Sequence, residues 1–349
     1  MCPWLSLGGY LDTQPQETSI DLQADLILIH APSVFDFRDR DDMLFAYLSD
    51  SDSVNTTSVF EMFPIGFLAI QQKLRSEGMR CEIVNLASLM LMHPQIDVDR
   101  LLSHLQSPVF GIDLHWMPHC HGSIELAKRI KAVHPQALVI FGGISATYYA
   151  DELIRYDSVD AVIKGYDTLL PTSQLIKSVL RGSRDFRLIP NLVYKQPAAG
   201  IVNTGFSYKP DNNYNDIAID WSFYQSATAD LKTSRLIMTL PNAGCAMDCP
   251  WCGGSRSAYR KVMQRKKTLV QKDHRHIVNE LRSMGPAARD TTIYALQCYS
   301  EPDSRLVEYL DVVAEMGYKS VSIELFDLPA QPMLERMGRS SNSSMETLL

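Results

Sequence analysis

The first half of the chain alternates short apolar runs with longer amphipathic stretches. Apolar runs of strand length that lack polar alternation are typical of strands buried on both faces of a parallel sheet. Five such strands are predicted: Ala24–Ala31, Cys81–Leu86, Val109–Leu114, Ala137–Phe141 and Asp160–Lys164. The parallel arrangement requires a crossover segment between successive strands.

The stretches between these runs have the apolar spacing of helices. In the first of them, Ile65, Leu68, Ala69 and Leu74 fall on one helical face. The predicted helices are Pro64–Glu77, Asp97–Gln106, Ile124–Val133, Ala146–Arg155 and Leu169–Leu180. The alternation predicts an α/β fold, with a doubly wound, Rossmann-like domain over residues 20–185.

Residues 186–230 show no sustained period and are rich in proline and glycine, so we interpret them as a linker. The linker has one candidate hairpin, Leu192–Tyr194 with Ile201–Val202. Ile217–Tyr224 contains Trp221 and Phe223, which we expect to anchor the linker on one of its neighbours.

Strand and helix patterns alternate again over residues 231–349. The predicted strands are Arg235–Leu240, Thr291–Leu296 and Ser320–Leu325, and the predicted helices are Lys272–Met284, Arg305–Met316 and a third from Met333 onward. This order is that of the beginning of a parallel (β/α) barrel, in which catalytic loops follow the carboxyl ends of the strands. Arg339–Leu349 is polar, and we expect a frayed end there.

The composition is that of an ordinary globular protein, with 46% hydrophobic and 21% charged residues among 349. The net charge of −7 argues against a general nucleic-acid binder. No apolar run is long enough to span a bilayer, and Met1–Tyr10 lacks the features of a signal peptide. Seven cysteines without a secretion signal indicate a reducing compartment. We therefore expect a cytoplasmic protein.

Polar residues and glycines follow the predicted strands of the first domain, where ligands bind in open α/β sheets. They are His30 and Pro32, then Asp113, His115 and Trp116, then Gly142, Gly143 and Ser145, then Gly165 and Tyr166. The glycines would let a large ligand approach the backbone. A G-x-G-x-x-G fingerprint is absent, which argues against a dinucleotide.

Three cysteines, Cys245, Cys249 and Cys252, lie within eight residues, and Trp251 precedes the last of them. Three thiolates can hold three irons of a [4Fe–4S] cluster and leave the fourth open to an external ligand. Zinc is the alternative, with Cys298 or His274 completing a set of four ligands. The cysteine count and the absence of a secretion signal argue against a disulfide.

The cysteine spacing and the adjacent aromatic residue resemble the cluster loop of the radical S-adenosylmethionine (SAM) superfamily. That resemblance implies that the open iron binds SAM and that one electron cleaves it to a 5′-deoxyadenosyl radical. After the second barrel strand, Tyr299-Ser300-Glu301-Pro302 resembles the superfamily's Gly-Gly-Glu-Pro segment, although both glycines are replaced. The resemblance implies that Ser300 and Glu301 help to seat SAM, with Glu301 facing its ammonium group. The alternative for Glu301 is a cap of the helix that follows.

The first domain, placed before such a cluster loop, resembles the cobalamin-binding domain of B12-dependent radical SAM enzymes. The segments that carry the resemblance are Gly111–Trp116 and the turn Phe141–Ala146. It implies cobalamin contacts from His115, Trp116, Gly142, Gly143, Ser145 and Gly165. The D-x-H-x-x-G motif, whose histidine ligates cobalt in several other B12 enzymes, is incomplete, because Pro118 stands where glycine is required. The alternative is an α/β unit that binds no ligand.

Together the resemblances imply a cobalamin-dependent radical SAM enzyme that transfers a methyl group to an unactivated carbon of a small-molecule or peptide substrate. An electron donor such as flavodoxin or ferredoxin is implied as well. Radical rearrangement or cyclisation without methyl transfer, and a non-catalytic cluster- or cobalamin-binding module, stay open. The resemblance implies more strand–helix units than the three that we count, so we expect an incomplete barrel.

A basic stretch, Ser255–His276, follows the cysteines. It contains Arg256, Arg260, Lys261, Arg265, Lys266, Lys267, Lys272 and Arg275. We interpret it as a solvated loop that leads into a helix. The alternative is a patch that holds an anionic substrate or the phosphate of the cobalamin tail.

Overall fold

A computed structural model of the chain describes residues 21–40, 65–197, 199–210, 217, 219–222, 236–239, 242–250, 252–265, 268–285, 292–297, 304–318, 320–325, 331–332, 334–335 and 346–348. Two sheets built mainly of parallel strands, with flanking helices, dominate these residues, so the predicted α/β fold class is confirmed. None of the described helices has the length and apolarity needed to cross a membrane.

The first sheet contains all five strands predicted from the apolar runs. They are β2 (Leu26–His30), β3 (Cys81–Asn85), β5 (Val109–Asp113), β6 (Leu138–Gly142) and β7 (Ala161–Ile163). All five are parallel, in the spatial order β3-β2-β5-β6-β7. The chain reverses its direction of winding between β2 and β5, so their carboxyl ends form the topological switch point of a doubly wound sheet.

The helices of this unit cover both faces of the sheet. They are α1 (Ile65–Ser76), α2 (Leu86–Met92), α3 (Val98–Ser103), α4 (Cys120–Val133), α5 (Ile144–Tyr148), α6 (Ala150–Leu153) and α7 (Leu169–Leu180). Alternate strand residues point to opposite faces. In β2, Leu26 and Leu28 join one buried cluster, and Ile27 and Ile29 join the other.

Two of the predicted helices in this unit are wrong in extent. The segment predicted as Asp97–Gln106 ends its helix at Ser103, and Leu105–Gln106 forms a short strand, β4, that pairs with β1 (Leu22–Gln23). The segment predicted as Ala146–Arg155 is broken at Tyr149 into α5 and α6. The apolar spacing of both segments fits a longer helix. Strand pairing ends the first helix, and a turn at Tyr149 divides the second.

The hairpin that we assigned to the linker belongs to the first sheet. Strands β8 (Leu192–Gln196) and β9 (Gly200–Asn203) extend it past β7, both antiparallel to their neighbours. Burial explains this position, because Val193 and Tyr194 have no exposed surface. Beyond the hairpin, the backbone amide of Trp221 donates to Ser283 Oγ over 2.8 Å, and Gln72 donates to the carbonyl of Asp220 over 3.1 Å. Trp221 is thus held between the two units.

The second sheet has the parallel strand–helix order expected of a (β/α) barrel. Its strands are β10 (Leu236–Thr239), β13 (Thr292–Gln297), β14 (Ser320–Leu325) and β15 (Glu346–Leu348). They lie in the order β10-β13-β14-β15, with helices α9 (His274–Ser283) and α10 (Ser304–Glu315) between them in sequence. The expectation of a frayed end at Arg339–Leu349 is wrong for β15, which pairs with Ser320–Ser322. The helix predicted from Met333 begins outside the described residues.

A smaller element carries the cysteines. Strands β11 (Asn242–Gly244) and β12 (Leu269–Gln271) pair antiparallel, and helix α8 (Arg256–Met263) lies between them in sequence. One buried cluster joins the second sheet and its helices to the first sheet, since it includes Leu28 and Ile140 of the first unit with Ile277, Leu281 and Tyr309 of the second. The two units therefore share a hydrophobic core.

Candidate functional site

The switch point of the first sheet holds a buried histidine–aspartate cluster. His30, at the end of β2, lies 2.9 Å from Asp113 Oδ1 through Nδ1, and His115 Nδ1 lies 2.6 Å from Asp113 Oδ2. A carboxylate only accepts hydrogen bonds, so both Nδ1 atoms carry the proton. In neutral His115 this leaves the lone pair on Nε2, where it can accept a hydrogen bond or bind a metal.

The Asp113 carboxylate is ionised despite its burial. Burial would raise its pKa, but the charge of His30 and the hydrogen bonds from His115 and His30 outweigh it and hold the pKa well below its usual range. Asp113 is 4% exposed, and His30 is fully buried, whereas His115 is partly open to solvent. The cluster therefore fixes the orientation of His115 at the surface of the switch point.

Replacing Asp113 with asparagine should destabilise the fold. The amide side chain keeps one acceptor oxygen but loses the charge that faces two histidines, so we expect the free energy of unfolding to fall by about 2 kcal/mol. The matched control is Asp21→Asn, which alters an exposed histidine–aspartate pair with His104 at 2.7 Å. An exposed pair should contribute less than about 1 kcal/mol. Urea unfolding of both variants measures the difference, and equal losses would contradict the structural role of Asp113.

The Gly142–Gly143 turn packs against the segment that carries His115. Gly143 has φ +113°, and a Cβ atom there would lie 2.8 Å from the amide nitrogen of His115 and from the carbonyl of Leu114. Among the residues that the structure describes, no atom lies within 4 Å of a Cβ placed on Gly142. Gly143 is thus required by the protein's own packing, while Gly142 leaves open space at the sheet edge.

Ser145 and Gly165 serve the same edge through backbone contacts. Ser145 is buried, and its hydroxyl donates to the carbonyl of His115 over 3.1 Å. Gly165, with φ +125°, donates its amide to Thr147 Oγ1 over 3.0 Å. Both residues shape the loops around the site, so their expected role in cofactor binding stays a prediction.

Large apolar side chains at this edge are exposed. Trp116 is 42% exposed, and Met117, Ile144 and Tyr149 have similar values of 44%, 41% and 44%. All four belong to the segments that follow β5 and β6. Apolar side chains clustered around a polar centre are typical of a ligand-binding surface.

The cysteine loop is held at both ends by backbone hydrogen bonds. Before it, Gly244 has φ +79°, and the amide of Cys245 donates to the carbonyl of Thr268 over 2.8 Å. After it, Ser255 caps helix α8, and the amide of Arg256 donates back to the carbonyl of Met247 over 2.8 Å. The loop between these two points is short and carries all three thiols.

The donor set of this loop fits an iron–sulfur cluster. The amide of Met247 donates to Cys245 Sγ over 3.3 Å, the kind of hydrogen bond that stabilises a thiolate, and Cys249 and Cys252 are exposed. Within the described part of the chain, no three His, Cys, Asp or Glu side chains converge on a metal position. Ligation by Cys245, Cys249 and Cys252 therefore stays a prediction from their chemistry, as does the zinc alternative.

The cysteine loop lies against the carboxyl edge of the first sheet. Tyr148, on α5, donates its hydroxyl to the carbonyl of Gly253, directly after Cys252, over 2.5 Å. Close by, Tyr166 packs edge-on to Tyr259 of α8, with 6.3 Å between ring centroids. The thiols and the His115 edge consequently border the same region between the two units.

Some site residues lie outside the described part of the chain. They are Trp251, Cys298, Ser300 and Glu301, so the predicted SAM contacts of Ser300 and Glu301 stay predictions. Sequence reasoning noted His30, Asp113 and Tyr166 only as residues that follow strands, and it missed Tyr148 altogether. No spacing signal marks Tyr148, because its partner Gly253 is distant in sequence.

Residues 52–171 match the family model of the B12 binding domain. No curated protein matches the chain.

Several solved structures share the fold of the chain. One is the radical S-adenosylmethionine methyltransferase TsrM from Kitasatospora setae, with cobalamin and a [4Fe–4S] cluster bound. It matches with a TM-score of 0.55 and 15% sequence identity, and the match covers 93% of this chain and 66% of TsrM. Another is the cobalamin-dependent S-adenosylmethionine radical enzyme OxsB, with aqua-cobalamin and S-adenosylmethionine bound. It matches with a TM-score of 0.54 and 10% sequence identity, and the match covers 92% of this chain and 46% of OxsB. The chain thus spans less than two thirds of the length of these proteins.

These matches confirm the predicted resemblance at the level of fold. The N-terminal unit matches the B12 binding domain, and the described chain has the fold of cobalamin-dependent radical SAM enzymes.

Proposed function

We propose that the chain is a cobalamin-dependent radical SAM enzyme that transfers a methyl group to an unactivated carbon of a small-molecule or peptide substrate. The observation that carries the proposal is the hydrogen bond from Tyr148 to Gly253, which joins the carboxyl edge of the B12-type sheet to the cysteine loop. Radical chemistry that uses two cofactors requires both to face one substrate position.

The cysteine loop would hold the [4Fe–4S] cluster through Cys245, Cys249 and Cys252. Ser300 and Glu301 would seat SAM. When bound, the cluster and cobalamin supply electron transfer and methyl transfer, chemistry that side chains cannot perform. The backbone bonds at Cys245 and Arg256 keep the loop closed at both ends, and Met247 donates its amide to Cys245 Sγ.

The edge of the first sheet would hold cobalamin. Gly142 leaves space for a ring to approach the backbone, and Trp116 offers an exposed apolar surface beside it. The Nδ1–H group of His115 donates a hydrogen bond to Asp113. This bond to the histidine–aspartate cluster fixes the direction in which Nε2 of His115 points. Because the D-x-H-x-x-G motif is incomplete, the role proposed for His115 is contact with the cofactor.

We also propose a reducing, cytoplasmic setting and an electron donor such as flavodoxin or ferredoxin. Free cysteines support the first, since Cys81, Cys120, Cys245, Cys249 and Cys252 are all thiols. The exposure of Cys249 and Cys252 supports the second, because electron transfer requires a short path from the protein surface.

Product analysis tests the proposed reaction. The chain, reconstituted anaerobically with iron, sulfide and cobalamin, is incubated with SAM and a reductant, and the products are separated by mass spectrometry. Methyl transfer predicts S-adenosylhomocysteine together with 5′-deoxyadenosine, both absent from the Cys249→Ala control. Deoxyadenosine alone would favour rearrangement or cyclisation. The absence of both products from a fully loaded chain would contradict an enzymatic role.

A further inference from the structure

The described cations of the basic stretch after the cysteines are of two kinds, exposed and buried, while Lys266 and Lys267 lie outside the described residues. Arg256, Arg260, Lys261 and Arg275 are exposed, so the interpretation as a solvated loop holds for them. It is wrong for Arg265, which is 5% exposed, and for Lys272, which is 2% exposed. Burying a cation costs free energy unless a partner neutralises it.

The two buried cations differ in their partners. Lys272 pairs with the buried carboxylate of Glu280. Among the described residues Arg265 has no such carboxylate, and its Nη1 and Nη2 atoms have no hydrogen-bond partner there. A guanidinium has donors in a planar fork that matches two oxygens of a carboxylate or phosphate. Arg265 therefore presents unused donors of the kind that bind an oxyanion.

The surroundings of Arg265 are aromatic. Gln264 ends α8 in the left-handed conformation, at φ 50° and ψ 33°, and the chain then turns Arg265 inward. Its guanidinium carbon lies 4.6 Å from the centroid of Tyr166, which follows the last parallel strand of the B12-type sheet. Stacking on a ring positions the guanidinium plane but does not neutralise its charge.

Tyr259 adds a second donor to this position. Its hydroxyl is buried without a hydrogen-bond partner among the described residues. Burial raises the pKa of Tyr259, and the charge of Arg265 lowers it only in part, so the hydroxyl stays protonated and can donate. Thr268, three residues after Arg265, accepts the amide of Cys245, which places this pair of donors beside the cysteine loop.

We propose that Arg265 and Tyr259, with Tyr166 as the stacking face, form a site at the junction of the two units that binds an oxyanion of a cofactor or substrate. A phosphodiester and a carboxylate share the required chemistry, and the cobalamin tail carries the first while SAM carries the second. The choice between these sources rests on the proposed function, whereas the oxyanion site itself does not.

Paired ligands separate the two sources. Dissociation constants are measured on the reconstituted 349-residue chain for cobalamin and cobinamide, which lacks the phosphodiester, and for SAM and decarboxylated SAM. Arg265→Gln should weaken one anionic ligand by about 10- to 100-fold, the range for charge-assisted hydrogen bonds, and leave its matched analogue unchanged. Arg260→Gln, which removes an exposed cation of α8 in the same basic stretch, should change none of the four constants.

Inorganic phosphate tests the site without either cofactor. At matched ionic strength, phosphate should raise the thermal midpoint of the wild-type and Arg260→Gln chains more than that of Arg265→Gln. Phosphate could stabilise wild type more than Arg265→Gln while the substitution leaves the binding of both cofactors and their analogues unchanged. That result would assign the site to an anionic substrate. If wild type binds neither cobalamin nor SAM, the proposed function fails, and the phosphate comparison still decides the oxyanion site.

Two results would overturn the site. One is that wild type and Arg265→Gln respond equally to phosphate and to all four cofactor ligands. The other comes from Arg265→Met, which removes the charge but keeps an apolar side chain. Because an unneutralised buried charge is unfavourable, this variant should be at least as stable as wild type without ligand. A marked loss of stability would show that Arg265 pairs with a carboxylate of the protein itself.

Discussion

Cys249→Ala is expected to abolish cluster assembly and every SAM-dependent product. Wild type should hold about four irons per chain after anaerobic reconstitution, the content of one [4Fe–4S] cluster. The two remaining cysteines cannot retain the cluster. The variant should therefore lose most of its iron and form no deoxyadenosine. Iron and sulfide analysis, with the visible absorption of the cluster, measures this directly.

The matched control for this change is Cys120→Ala. Cys120 is a partly buried thiol at the start of α4, in the first unit, and burial raises its pKa. Its removal should leave iron content and product formation at the wild-type level. Equal iron content in wild type, Cys249→Ala and Cys120→Ala would contradict the assignment of the loop.

Gly143→Ala is expected to cause the second large effect, on folding as well as cobalamin binding. At φ +113° an alanine is strained, and its Cβ would lie 2.8 Å from three backbone atoms of Leu114 and His115. Backbone strain and the overlap each cost about 1–3 kcal/mol, so we expect the unfolding free energy to fall by about 4 kcal/mol. Chemical denaturation monitored by circular dichroism measures the loss.

Gly142→Ala separates packing from binding at the same turn. Its Cβ would meet no atom of the described part of the chain within 4 Å, so stability should change by less than about 1 kcal/mol. If cobalamin lies against this edge, the added methyl group should still weaken cobalamin binding. A Gly142→Ala chain that binds cobalamin as tightly as wild type would place the cofactor elsewhere on the protein.

The parallel strands of the first sheet were readable from sequence because they are short apolar runs, and β2, β5 and β7 are buried at every position. Ser320–Leu325 was predicted with the bounds that the structure has. Helix α2 (Leu86–Met92) was missed, since its apolar residues continue directly from those of β3 and show no change of period. The attachment of β8 to β7 was missed because pairing between strands distant in sequence leaves no local pattern.

The candidate site was readable only in part for the same reason. The cysteine spacing and the position of His115 after a strand are local features, and both pointed to the site. The contact of Tyr148 with Gly253 and the burial of Arg265 depend on how the two units pack. A basic residue in a run of basic residues gives no sign of burial, so Arg265 was grouped with its solvated neighbours.

Electron paramagnetic resonance of the reduced, reconstituted chain, with and without SAM, tests the central claim most directly. The account predicts a reduced [4Fe–4S] signal that changes when SAM is added, because SAM binds the iron that the three cysteines leave open. The signal should be absent from Cys249→Ala. Zinc in place of iron, or a cluster signal that is indifferent to SAM, would contradict the proposed radical SAM function of this chain.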